Sequence, residues 1–253
     1  MLTPAIRLAA WVLVWAAAGS AFAAEFRIES RIYQGKEKQP VSRSLTLFHA
    51  GVIYDYLDEP KRVAVLDPKG GRFILLDPQR KLRAEVKNTD VRRFTDGLQE
   101  LLAKSGSAQA RFQAQPSFSV DWSEPAGTLS LTSETMTYKV DARPAPSADV
   151  AEQYREFCDW CAQLNALLSP AGSPPFARFA LDQELAQRGL VPKQVSLHIN
   201  GMLGSPSVKV HSEHEFAWRL LDADRRRIDE TGQQLSSFEP INVSNFTAVA
   251  TKK

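Results

Sequence analysis

Val52-Ile53-Tyr54-Asp55-Tyr56, Arg62-Val63-Ala64-Val65-Leu66 and Arg72-Phe73-Ile74-Leu75-Leu76 are three short runs of β-branched, aromatic and aliphatic residues. Their length and composition suit strands, and turn chemistry separates them. Asp67-Pro68-Lys69-Gly70-Gly71 joins the second run to the third. Proline presets φ there and glycine supplies positive φ, which makes a hairpin. Asp77-Pro78-Gln79-Arg80 repeats the device before Lys81 to Val86. Toward the N-terminus, Phe26 to Ile32 alternates apolar and polar residues, as does Ser44 to Ala50 until Gly51 breaks it. The result is an antiparallel meander of about six strands.

The hydrophobic period then changes. Val91, Phe94, Leu98, Leu101 and Leu102 fall on one face of a helix that Thr89 or Asp90 can cap. Ser105 to Gln115 reads as a loop. Phe118, Val120 and Trp122 alternate, Glu124-Pro125-Ala126-Gly127 turns, and Leu129 and Leu131 alternate back before a strand with Met136, Tyr138 and Val140. A long helix is predicted over 148–168, with Val150, Tyr154, Phe157, Cys158, Cys161, Leu164 and Leu168 as its apolar stripe. A shorter helix over 177–188 ends at Gly189. Gln194 to Asn200, a turn with Gly201, Gly204 and Pro206, a long strand from Ser207 to Leu221 and a polar helix over 224–235 follow. Strands followed by a helix thus occur twice. The fold class is α+β: a single domain over 24–253, with a strongly curved, half-barrel-like antiparallel sheet and two or three helices packed on one face.

The N-terminal 23 residues read as a signal peptide. Arg7 precedes an apolar run from Leu8 to Ala18, and Ala21-Phe22-Ala23 supplies a small-x-small cleavage pattern. The run is shorter than the roughly 20 residues a spanning helix needs, and no cysteine follows it for lipid attachment. A periplasmic or secreted location is expected, with no membrane span after cleavage. Removing the leader leaves 230 residues with a net charge of +1. That near-neutral balance speaks against nucleic acid as a partner, which a concentrated positive field would favour. Arg225-Arg226-Arg227 is flanked by Asp222, Asp224, Asp229 and Glu230 and reads as a solvated helix face.

Cys158 and Cys161 lie mid-helix on the apolar stripe, where a redox pair at a helix N-terminus would not be. They read as buried core thiols or a local disulfide between positions three apart. His211 and His214 point to opposite faces of a strand and cannot share an ion. His211, Glu213 and Glu215 share one face, which reads as solvated. No nucleophile elbow or carboxylate pair is found, so neither an enzyme nor a cofactor or metal is expected. Phe94, Leu98, Tyr154, Phe157 and Leu164 supply excess apolar helix surface and are the candidate lining of a ligand cavity.

Leu45-Thr46-Leu47-Phe48, Val52 to Tyr56, Val63 to Leu66, the Asp67-to-Gly71 turn and Phe73 to Leu76 before Asp77-Pro78 form a succession of short strands and tight turns. In this the chain resembles the periplasmic lipoprotein carrier and receptor family, LolA and LolB, over about residues 26–140. The resemblance carries no individual functional residue across. It implies an exported, non-enzymatic protein that holds an apolar ligand, a lipid or acyl chain, between sheet and helices, with lipid or lipoprotein as partner. The alternative is an envelope interaction protein with a dry core that binds through a sheet edge or the Lys209, His211, Glu213 and Arg219 face.

Overall fold

The computed structural model describes residues 24–170, 172–201 and 207–248. The expected leader over 1–23, and Gly204 and Pro206 of the predicted turn, lie outside the described residues. The first meander runs through β1 (Phe26–Gln34), β2 (Ser42–His49), β3 (Val52–Leu57), β4 (Arg62–Asp67), β5 (Arg72–Asp77) and β6 (Leu82–Lys87). Helices α1 (Asn88–Ala103) and α2 (Ala108–Ala114) lead into β7 (Ser119–Ser123), β8 (Thr128–Thr132) and β9 (Met136–Pro144). Next come α3 (Ala148–Leu168), α4 (Phe176–Gln187), β10 (Leu190–Ile199) and β11 (Val208–Ala217). The last elements are α5 (Asp222–Ser237), β12 (Glu239–Pro240) and α6 (Val243–Ala248).

Among the described residues the twelve strands form one open sheet in the order β12-β6-β5-β4-β3-β2-β1-β11-β10-β9-β8-β7. All neighbours are antiparallel except the two-residue β12, which runs parallel to β6. Two meanders are therefore joined where β1 pairs with β11, from Arg27↔Ala217 to Gln34↔Val210. Local turn chemistry explains the hairpins. His49 and Val52 face each other across Ala50 and Gly51, both at positive φ, the geometry a two-residue loop needs. At the next glycine turn, Asp67 Oδ1 accepts from the Gly70 amide at 2.8 Å, and a Cβ on Gly70 would meet that carboxylate at 2.1 Å. Asp77 likewise accepts from the Arg80 amide at 3.0 Å.

The helices differ from expectation in number and placement: six occur among the described residues, and they cover both faces. The inner face, with Phe26, Ile28, Phe48, Ile53, Leu66, Phe73 and Leu75, packs against Val150, Tyr154, Phe157 and Leu164 of α3. Side chains alternate across a strand, so Leu47, Val63, Val65, Ile74 and Leu76 point the opposite way. Ile228 of α5 and Leu220 pack on them. Tyr56 ties α5 down, its hydroxyl lying 2.9 Å from Thr231 Oγ1 and donating to the Arg227 carbonyl at 3.2 Å. The polar character of α5 hid this role, because only a few of its residues are buried. A further cluster packs Leu181 and Leu185 of α4 against Leu129, Leu131 and Val140 of the second meander.

Three further readings are corrected. The loop expected over 105–115 contains α2, whose first turn is capped by the Ser107 hydroxyl. Helix α1 starts at Asn88, directly after β6, so neither Thr89 nor Asp90 is its cap. The strand expected to reach Leu221 ends at Ala217, and Leu220 crosses to the outer core. The α3 boundaries are as the sequence predicts, and the Ser147 hydroxyl caps its first turn by accepting from the Val150 amide. Two-sided coverage has a measurable consequence. Leu76→Ala on the outer face should cost about 2–5 kcal/mol in denaturant unfolding, as should Leu66→Ala on the inner face. A near-neutral Leu76→Ala would mean that α5 does not cover that face.

Candidate functional site

A cleft of about 250 Å³ opens between α3 and the inner face of the sheet where the two meanders meet. Strand register brings its floor together. Ser30 of β1 faces Ser44 on β2 and His214 on β11, while Thr46 faces Asp55 across β2 and β3. Ile28, Ser30 and Ile32 share the inward side of β1 by the two-residue period. The roof comes from one face of α3, where Tyr154, Phe157, Cys158, Cys161, Ala162 and Asn165 follow helical spacing. Arg178 reaches in from α4.

The floor is a polar row on an otherwise apolar face. His214 Nδ1 lies 2.9 Å from Ser30 Oγ and Nε2 2.8 Å from Ser212 Oγ, so each ring nitrogen has a hydroxyl partner. Burial, assisted by the nearby Arg178 charge, pushes the imidazole down to about 3, which keeps it neutral. Asp55 Oδ1 accepts from Thr46 Oγ1 at 2.7 Å, and burial raises its carboxyl against the pull of the Thr46 and Ser44 hydroxyls. Arg178 donates through Nε to both oxygens of Asp182, at 2.9 and 2.8 Å, and its Nη2 lies 3.5 Å from Cys158 Sγ. Asp182 is sealed from solvent, whereas Arg178 keeps 26% of its side chain accessible. On α3, next to Cys158, burial and then the Asp182 charge push Asp159 up to about 7, even with Arg155 Nη1 2.5 Å from its carboxylate.

Cys158 and Cys161 are free thiols in the structure. Burial pushes the Cys158 thiol up to about 12 and raises Cys161 as well, which disfavours the nucleophilic thiolate.

Of the residues expected to line a cavity, Tyr154 and Phe157 do so. Leu164 is buried in the inner core instead. Phe94 and Leu98 are half-buried on α1 and do not line the cleft. Sequence reasoning passed over Asp55 and the Arg178–Asp182 pair. Asp55 had a visible signal, a carboxylate between two tyrosines in mid-strand, where aspartate is disfavoured. Arg178 and Asp182 had none, since a pair four apart on a helix ordinarily reads as a surface salt bridge.

Outside the cleft, the solvent side of the β1–β11 junction is a charge ladder. Arg31 pairs with Glu215 at 2.9 Å and Glu213 at 3.8 Å, and Tyr33 stacks on His211 with ring centroids 4.6 Å apart. Arg219 lies beyond the end of β11 and outside that ladder's strand register. A groove of about 370 Å³ between β1, β2 and the start of α5 is lined by charges, among which Arg27 pairs with Glu29 and Asp224. No group of three or more metal-ligating side chains suited to holding an ion occurs among the described residues. No helix among them is long and apolar enough to cross a membrane.

No model of a known family matches the chain, and no curated protein matches it significantly.

Two outcomes test that geometry. The His214 ring resonances should stay flat in NMR from pH 8 down to about pH 4, and a midpoint near the ordinary histidine value of ~6.5 would mean that the ring is hydrated. Thiol titration of the native protein should be slow at neutral pH, and should reach both cysteines without reductant once the chain is denatured.

Proposed function

We propose that the protein is an exported, non-enzymatic binding protein that holds the apolar part of a lipid or acyl-chain ligand between α3 and the sheet. The observation that carries this reading is the cleft itself. Ile28, Ile32, Tyr154, Phe157 and Ala162 form apolar walls around a few convergent polar groups, the usual composition of a small-molecule site. Its volume lies below the roughly 300–1,000 Å³ of sites that engulf a drug-sized ligand. A short chain, or one end of a longer chain whose remainder leaves through the open mouth, suits it. The strong half-barrel curvature implied by the LolA and LolB resemblance belongs to the same reading, as a sheet bent around α3. A neutral, weakly basic imidazole and two protonated thiols favour binding over catalysis.

Native mass spectrometry and solvent extraction of protein purified from the exporting host test the reading. Wild type should carry, or take up, an apolar small molecule. Ala162→Trp, which fills the cleft from α3, should abolish uptake while the thermal melt remains cooperative. A wild-type protein that is empty and takes up no acyl-chain probe would overturn the proposal.

A further inference from the structure

Within the cleft, Asp55 stands apart from the other ionisable groups. Arg178 already has its counter-ion in Asp182, through two short contacts to one guanidinium nitrogen. His214 is neutral and satisfied by two serines. The Asp55 carboxyl lines the cleft, and among the described residues its hydrogen bonds come from hydroxyls: Thr46 at 2.7 Å, with Ser44 beside it. No cation among the described residues pairs with it. Burying a carboxylate is costly unless it is paired as well as hydrogen-bonded, and two hydroxyls leave its charge unbalanced. Cys161 on the roof adds a thiol, not a positive charge. The same cleft has apolar walls, Ile28, Ile32 and Phe157 among them.

We propose that the cleft selects a ligand with a primary ammonium group on an apolar stem, the ammonium seated against Asp55 and the stem lying along Ile28, Ile32 and Phe157. This rests on the reading of the cleft as a binding site and adds the chemistry of the head group. A fatty-acid carboxylate is the poorer fit, because it would meet Asp55 as a like charge and find Arg178 already ion-paired with Asp182. An ammonium supplies the missing counter-charge and up to three donors, of which the carboxylate can accept those that Thr46 and Ser44 leave open.

Calorimetric titration of the full folded protein with octylamine, octanol and octanoate at pH 7 separates the head groups at constant stem. Octylamine should bind about tenfold or more tighter than octanol, the gain expected for a charge-assisted contact. Octanoate should bind least. Ethylamine should bind far more weakly than octylamine, since it lacks the stem. Asp55→Asn should erase the preference for amine over alcohol and retain octanol binding. Should that variant fail to fold, the Asp55 carboxyl-carbon NMR shift in wild type should move on adding octylamine and stay still with octanol.

Equal binding of octylamine and octanol would overturn the ammonium site and leave the apolar carrier standing. Tightest binding of octanoate, or ethylamine matching octylamine, would overturn it too, as would an amine preference that survives in Asp55→Asn. Absence of binding by all the octyl compounds would instead remove the carrier reading beneath it.

Discussion

The eight residue pairs between β1 and β11 join what would otherwise be two separate meanders. Residues 184 positions apart meet there, among them Ser30 with His214 and Arg31 with Glu215. Closing such a contact costs chain entropy, and the ladder's backbone hydrogen bonds and the inner-face packing must offset it together. The packing is substantial: Phe26 stacks on Phe48 at 3.9 Å, Phe48 meets Phe157 edge-on at 5.5 Å, and Phe216 of β11 meets Tyr154 of α3 at 5.3 Å. Helix α3 thereby bridges the junction from above.

The cleft follows from this junction. The aromatic residues fill one stretch of the inner face. Beyond them the β1 side chains become Ser30 and Ile32, the β2 and β3 side chains become Ser44, Thr46 and Asp55, and packing gives way to a polar-floored space under α3. Polar groups placed there must be satisfied or compensated. The serine–histidine–serine chain and the Arg178–Asp182 pair meet that demand internally. Asp55 meets it only in part, and the proposed ammonium preference rests on that imbalance.

On the outer face the two halves of the sheet are treated differently. Helix α5 covers β2 to β5 with an apolar contact, whereas β1 and β11 carry crossed ion pairs open to solvent. Exposed pairs of this kind contribute little to stability. They do set charge complementarity across the junction and oppose slippage in register, because a one-residue shift would turn the charges inward.

Local physics made much of the fold legible in the amino-acid sequence. The aspartate–proline turns specify hairpins from local chemistry, and the apolar stripe of α3 marks a helix to within its end residues. Burial of α5 was not legible, because a helix with few apolar residues shows its inner face only when a sheet is placed against it. The site was legible only in fragments: Tyr154 and Phe157 stood out as apolar helix residues, while the signal at Asp55, an aspartate out of place in a strand, was passed over. Period and turn chemistry depend on neighbours a few positions away, so the sequence by itself determined the strands, most helices and the α+β class. Register between β1 and β11 depends on segments nearly the whole chain apart. Tertiary structure alone therefore decided that Ser30, Thr46, Asp55 and His214 share one floor, and that α3 and Arg178 close over it.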